Sequence, residues 1–212
     1  MTSVDRDYSP DLSHDWSEDS CWIFGYGSLM WNHPEFESVE QHHADLNGYR
    51  RDLCMYSFMT RGTPELPGLC LGLTAAEGEA CIGIAFRIES KKRDAAWKAL
   101  QERENTPLVC YRAVTVQVSL RCDERRMRGD HSVSALVFLP LTSHVQYAGK
   151  LTDDEKLNIL RDQDRRGTRG TSLEYLRMTI ESLQKEVGIR DEYLDWLMLS
   201  SSTPNESLSQ VT

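Results

Sequence analysis

The chain has 212 residues, 40% of them hydrophobic and 27% charged, which suits one substantial core and excludes simple disorder. Asp and Glu outnumber Lys and Arg by 33 to 24, and the net charge of −9 argues against broad nucleic-acid or anionic-membrane binding while leaving room for a local basic pocket. No stretch approaches about 18 consecutive apolar residues, and the opening MTSVDRDYSPDLSHDWSEDS lacks the basic start and apolar run of a secretory signal. A cytoplasmic location is expected, with neither nucleic acid nor membrane as partner.

Residues 1–19 read as a flexible acidic arm. A single domain is expected over 20–199, followed by a flexible polar tail, SSTPNESLSQVT, over 200–212. The first half is strand-like. Cys21–Tyr26 is an apolar run that stops at the glycines of GYGSL; Tyr49–Phe58, Leu69–Leu73 and Cys81–Ile88 follow, separated by the turn-forming stretches TRGTPELPG and AAEGEA. In KKRDAAWKALQER the period changes: Ala96, Trp97 and Leu100 recur at helical spacing. Ser90 is the expected N-cap, and the helix is expected to stop near Asn105–Pro107. Glu104 then falls in the last turn or just beyond, with its side chain expected to point away from the helix stripe.

Val109–Leu120 and Ser132–Leu139 are further strands, with Cys122–Asp130 as an exposed charged turn between them. From Leu151 the pattern is helical. Thr152 with Glu155 and Thr171 with Glu174 spell two capping boxes. Leu173, Leu176, Ile180, Leu183 and Val187 share one face, and a last short helix covers Asp191–Leu199. Strands first and helices last predict an α+β fold, a small mixed β-barrel or strongly curved sheet flanked by helices, since a doubly wound βαβ fold would need helices between the early strands.

The six cysteines, Cys21, Cys54, Cys70, Cys81, Cys110 and Cys122, form no CxxC and sit mostly in apolar runs, so buried free thiols are expected. Neither they nor the six histidines match a metal-ligand spacing; no metal and no cofactor are expected.

Four short segments carry chemical potential. Phe24–Asn32, FGYGSLMWN, places two glycines around Tyr26 directly after a strand, a turn able to present consecutive backbone N–H groups to a carboxylate or a developing anion. It matches neither a dinucleotide GxGxxG nor a nucleophile elbow. Arg61-Gly62 precedes Pro64 and Pro67-Gly68 in a rigid loop. Glu104 ends the amphipathic helix beside Arg103. Tyr147-Ala148-Gly149 stands ahead of the C-terminal helices.

In this order and spacing, together with Gly170 to Leu197 containing Glu174-Tyr175-Leu176 and Gly188-Ile189, the segments resemble the ChaC-like, glutathione-specific γ-glutamylcyclotransferases over roughly Trp22 to Leu197. His33 and the segment following Glu104 depart from the family's pattern and are expected to reshape the rim of the site. The resemblance implies a γ-glutamylcyclotransferase-like fold and a lyase that converts glutathione to 5-oxoproline and Cys-Gly without cofactor. The α-amine of the γ-glutamyl group would attack its own side-chain carbonyl. Glu104, rather than Glu102, would be the catalytic base; Tyr26, Gly27, Ser28, Leu29, Arg61 and Tyr147 would bind substrate, with Arg103 competing for the role of Arg61.

A glutamate of ordinary pKa is a poor base for an α-amine, the mismatch being about 3.5 units or roughly 5 kcal/mol, so a desolvated Glu104 is required. Whether the Tyr26–Leu29 turn holds the α-carboxylate or the oxyanion stays open, as does the choice between monomer and weak dimer. Three rivals remain: a cyclotransferase for other γ-glutamyl amino acids or amines, a serine amidase using Ser28, and a non-catalytic module that binds a small metabolite.

Overall fold

The computed structural model describes residues 21–105, 109–121 and 131–202. The expected N-terminal arm and the charged turn Cys122–Asp130 lie outside the described residues; the polar tail expected from residue 200 does not start there, since the last helix runs on to Ser201, and residues 203–212 lie outside the described residues.

Strands β1 (Cys21–Gly25), β2 (Glu40–Ser57), β3 (Gly68–Ile88), β4 (Tyr111–Leu120) and β5 (Ser132–Pro140) form a closed barrel in the order β1-β3-β2-β4-β5. All neighbours pair antiparallel except the closing pair, where Trp22 and Ile23 of β1 lie parallel to Ala135 and Leu136 of β5. The expected α+β class and mixed barrel are therefore what the chain adopts. Successive side chains of the strands separate into two clusters, as the two-residue strand period requires. Ile23, Ile84, Phe86, Leu136 and Phe138 join the helices in the larger cluster. Phe24, Ala85, Ala135, Val137 and Leu139 form the smaller.

Two strands run longer than their hydrophobic pattern announces. Leu69–Leu73 and Cys81–Ile88 belong to one strand, and AAEGEA does not reverse the chain. Asn47 pairs with Ala80 and Tyr49 with Ala75, so residues 76–79 bulge out opposite Gly48. Gly48 and Gly78 both have φ of +80°, the conformation such a bulge demands. The bulge is exposed, which removes the apolar alternation from that stretch.

Helix α1 (Arg93–Asn105) is preceded by a short 3-10 turn, Ser90–Lys92. Ser90 opens that turn and does not cap α1, because the 3-10 turn moves the helix start to Arg93. Helices α2 (Asp153–Arg161) and α3 (Ser172–Ser182) each begin with the complete capping box that their sequence spells, on Thr152 and Thr171. A π-helical turn, Leu183–Val187, continues α3, and Gly188 at φ +73° ends it. Helix α4 spans Glu192–Ser201. A two-residue turn, Thr168–Arg169, joins the small strands β6 (Arg166–Gly167) and β7 (Gly170–Thr171) just before α3.

Buried charge ties the helices to the barrel. Lys156 Nζ of α2 meets Asp52 Oδ1 of β2 at 2.7 Å, both side chains 6% exposed, and donates to Tyr193 Oη of α4 at 3.0 Å. Among the described residues no helix is long and apolar enough to cross a membrane.

Candidate active site

Strand β1 ends at Gly25, and the chain turns at Tyr26-Gly27 into a 3-10 turn, Ser28–Met30. The first hydrogen bond of that turn runs from Met30 N–H to Gly27 C=O at 2.9 Å, which leaves the N–H groups of Ser28 and Leu29 without an acceptor inside it. Tyr26 C=O points the other way and accepts from Arg51 Nε at 2.6 Å. Because a trans peptide sets its C=O and N–H on opposite sides, this bond also turns the Gly27 N–H away from Arg51. The Tyr26 hydroxyl donates to Phe138 C=O at 2.8 Å. A side chain at residue 27 would come within 3.0 Å of the Tyr175 hydroxyl, so glycine keeps that approach open.

Helix α1 buries Ala96 and Leu100, and the same four-residue step leads to Glu104. The carboxylate therefore continues the inward stripe, contrary to the expectation that it would leave it. Glu102 is exposed. Arg103 fans out beside it: Nη1 donates to Asn32 C=O at 2.6 Å and to Glu35 Oε2 at 2.8 Å, Nη2 to Ser28 Oγ at 2.8 Å, and Nε to Glu104 Oε1 at 3.1 Å. One guanidinium thus joins the helix end to the glycine turn, and its capacity is taken up by protein groups.

Glu104 is about 20% exposed at its side chain. Burial raises its pKa above the ordinary carboxylate value, the negative charge of Glu35 adds to the rise, and the charges of Arg103 and Arg169 oppose it. Its place at a helix C-terminus acts in the raising direction as well. Tyr26 and Tyr111 are pushed well up, first by burial and further by Glu104 and neighbouring thiols, so both phenols stay protonated at neutral pH.

Glu104, Tyr26, Gly27, Ser28, Leu29 and Arg61 all line one cavity of about 750 Å³, within the roughly 300–1,000 Å³ usual for small-molecule sites. Arg61 is buried, its guanidinium 4.9 Å above the Tyr175 ring, with Nη1 donating to Arg169 C=O. Its loop is compressed: a Cβ on Gly62 would strike the Gly68 backbone, and one on Gly68 would strike the Arg61 carbonyl. Ser28 Oγ is occupied by Arg103, and among the described residues no histidine or lysine lines the cavity to activate it.

Tyr147 is not brought to this group. It bridges to Met55, and its phenol lies against Gly149, while its neighbour Gln146 lines the cavity and donates from Nε2 to Tyr56 C=O at 3.0 Å. His33 is not on the rim; it stacks on Phe36 at 5.0 Å and tilts against Phe86 at 4.8 Å.

Several residues at the site escape sequence reasoning. Glu35 lies in an aperiodic polar segment, and only its pairing with Arg103 reveals it. Tyr175 stands out in the sequence only within the segment Glu174-Tyr175-Leu176, whereas its hydroxyl lies against Gly27. Tyr111, Cys70 and Cys110 read as strand interior yet line the cavity. Among the described residues no three His, Cys, Asp or Glu side chains converge to hold a metal.

A family model described as ChaC-like protein matches residues 21–202. The glutathione-specific γ-glutamylcyclotransferase of Escherichia coli (strain K12) is 31% identical over 183 residues, covering 86% of this chain and 73% of that protein. The glutathione-specific γ-glutamylcyclotransferase 1 of Danio rerio is 28% identical over 167 residues, covering 78% and 80%. In fold, a crystal structure of a γ-glutamylcyclotransferase specific to glutathione from yeast matches with a TM-score of 0.74 at 20% identity, over 86% of this chain and 96% of that one.

Proposed function

This chain belongs to the ChaC-like protein family, and from that membership we propose that it is a glutathione-specific γ-glutamylcyclotransferase, a carbon–nitrogen lyase releasing 5-oxoproline and Cys-Gly. The substrate α-amine attacks the γ-carbonyl carbon and closes a five-membered lactam. The bond from that carbon to the cysteinyl nitrogen breaks, and the proton lost by the amine ends on the departing cysteinyl amine. No water enters.

Glu104 accepts the proton from the attacking amine and returns it to the leaving one. A single carboxylate serves both steps because the two nitrogens flank one carbon. A raised carboxyl pKa narrows the gap to the amine, which suits this duty. The N–H groups of Gly27, Ser28 and Leu29 supply positive dipoles for the α-carboxylate or for the oxygen that gains charge, the latter typically worth about 2.7–4 kcal/mol per donor. Arg61, buried at the cavity wall, is a second anchor for a carboxylate. Holding amine and carbonyl together removes orientational freedom from the barrier.

The observation that carries this reading is the sharing of one cavity by a half-buried glutamate and the glycine turn, coupled through Arg103. Glutathione as substrate and five free cysteines among the described residues favour a reducing compartment, the cytoplasm.

The test is incubation with glutathione and identification of both products. Release of 5-oxoproline and Cys-Gly, lost in Glu104→Gln with the fold retained, is the expected result. Glutamate as the first product would instead indicate hydrolysis, and turnover of γ-glutamylalanine above that of glutathione would indicate a broader γ-glutamyl substrate class.

A further inference from the structure

Three guanidiniums and one carboxylate face the cavity among its described lining residues: Arg61, Arg103, Arg169 and Glu104. That is a local cationic excess in a chain whose net charge is −9. Arg103 is matched by Glu35 and Glu104. Arg61 is buried against Tyr175 and donates to a backbone carbonyl. Arg169 differs from both: it is exposed, and no carboxylate or carbonyl among the described residues accepts from its guanidinium.

Its backbone, however, is fixed. Arg169 sits in the two-residue turn between β6 and β7, its N–H donating to Thr60 C=O at 2.9 Å and its C=O accepting from Arg61. Thr168 N–H donates to Met59 C=O at 2.8 Å, and any side chain on Gly167 would collide with the backbone of residues 59–61. The turn is thus seated on the loop that carries Arg61, and it sets an exposed, unpaired guanidinium on the same cavity that Glu104 lines. The charge of Arg169 is felt at Glu104, where it works against the burial-driven rise.

We infer that Arg169 recognises the terminal carboxylate of the leaving dipeptide, and so makes this site selective for γ-glutamyl peptides that carry a carboxylate two residues beyond the scissile bond. The inference rests on the cyclotransferase reading and specifies its substrate class. Two residues of extended chain reach about 7 Å beyond the scissile nitrogen. Glutathione brings two carboxylates. One is taken by the glycine turn or Arg61, leaving the second to meet Arg169. A γ-glutamyl amine lacks the second, and γ-glutamylcysteine carries it one residue too close.

The test compares 5-oxoproline release from glutathione, its glycyl monoethyl ester and γ-glutamylcysteine by the wild type, Arg169→Ala and Arg169→Lys. In the wild type, esterification should raise KM about tenfold with kcat nearly unchanged, the scale of one accessible charge-assisted bond. Arg169→Ala should raise KM for glutathione about tenfold and KM for the ester far less, so that the preference collapses; Arg169→Lys should restore part of it. An unchanged circular-dichroism spectrum and melting temperature of Arg169→Ala serve as the control for folding. An ester-to-glutathione KM ratio that is the same in wild type and Arg169→Ala overturns the inference alone. Absence of 5-oxoproline from every compound overturns the cyclotransferase reading and this inference with it.

Discussion

Arg51 grips the carbonyl of Tyr26: its Nε donates at 2.6 Å, while its other nitrogens reach Ile82 C=O and, at 3.3 Å, Asp191 Oδ2. Arg51 is 4% exposed and stands outside the cavity lining, so its influence on chemistry runs through the peptide it orients. Asp191 is the N-cap of α4, and the network therefore extends from the glycine turn to the last helix.

Arg51→Met should lower kcat about tenfold or more with KM changing less than about threefold, because the Gly27 N–H loses its fixed direction. The acidic limb of the pH profile should stay in place, since Arg51 does not touch Glu104. A shifted limb would show that the residue acts on the base rather than on the turn. Arg51→Lys, with a single nitrogen in place of a fork, should be intermediate.

The pH dependence follows from Glu104. Its carboxyl is raised by burial, and the base must be ionised to accept a proton, so kcat/KM should fall as pH drops through a midpoint above the ordinary carboxylate range. Stability has the opposite sign. A group whose folded pKa is raised stabilises the fold below its unfolded pKa and loses that contribution as pH rises through the folded value. Glu104→Gln should therefore melt at a higher temperature than the wild type at neutral pH, with the difference shrinking toward pH 4–5. Calorimetric scans across that range provide the check.

Glu35→Gln removes a like charge near Glu104 and frees part of Arg103 to favour the ionised carboxylate. Both effects lower the pKa of Glu104. The acidic limb should move to lower pH while the plateau of kcat falls, because the weaker base has a smaller drive to take the amine proton. Full pH–rate profiles of both proteins read the shift.

The buried pair Lys156–Asp52 gives a prediction about stability alone. Lys156→Met leaves the Asp52 carboxylate unpaired among helices α2 and α4 and should cost about 3–5 kcal/mol in urea unfolding. Asp52→Leu combined with Lys156→Met should recover much of the loss, since two apolar groups replace two buried charges.

The capping boxes, the helices and the ends of most strands were legible because each is a local signal: a side chain three residues from its partner, or an apolar stripe with a fixed period. The long ribbon of β2 and β3 was not, since its bulge at 76–79 is stabilised by distant pairing rather than by local pattern. At the site, the glycine turn and Glu104 stood out by residue type. Glu104's inward orientation was also available from the spacing Ala96–Leu100–Glu104, a stripe that ends in a charge and is easily read as ending at Leu100. Glu35 and Tyr175 depend on contacts across 68 and more than a hundred residues, which no local window contains.

Two thiols line the cavity beside the reacting groups, Cys110 with its Sγ toward the Glu104 carbonyl and Cys70 toward the Tyr111 hydroxyl. Desolvation first, and the charge of Glu104 in addition, hold Cys110 at about 11 and Cys70 at about 12. At neutral pH only about one such sulfur in 10⁴ to 10⁵ is ionised, and exchange with disulfides requires the ionised form. The pocket can thus admit a sulfur-bearing peptide, reduced or oxidised, without becoming covalently trapped by it.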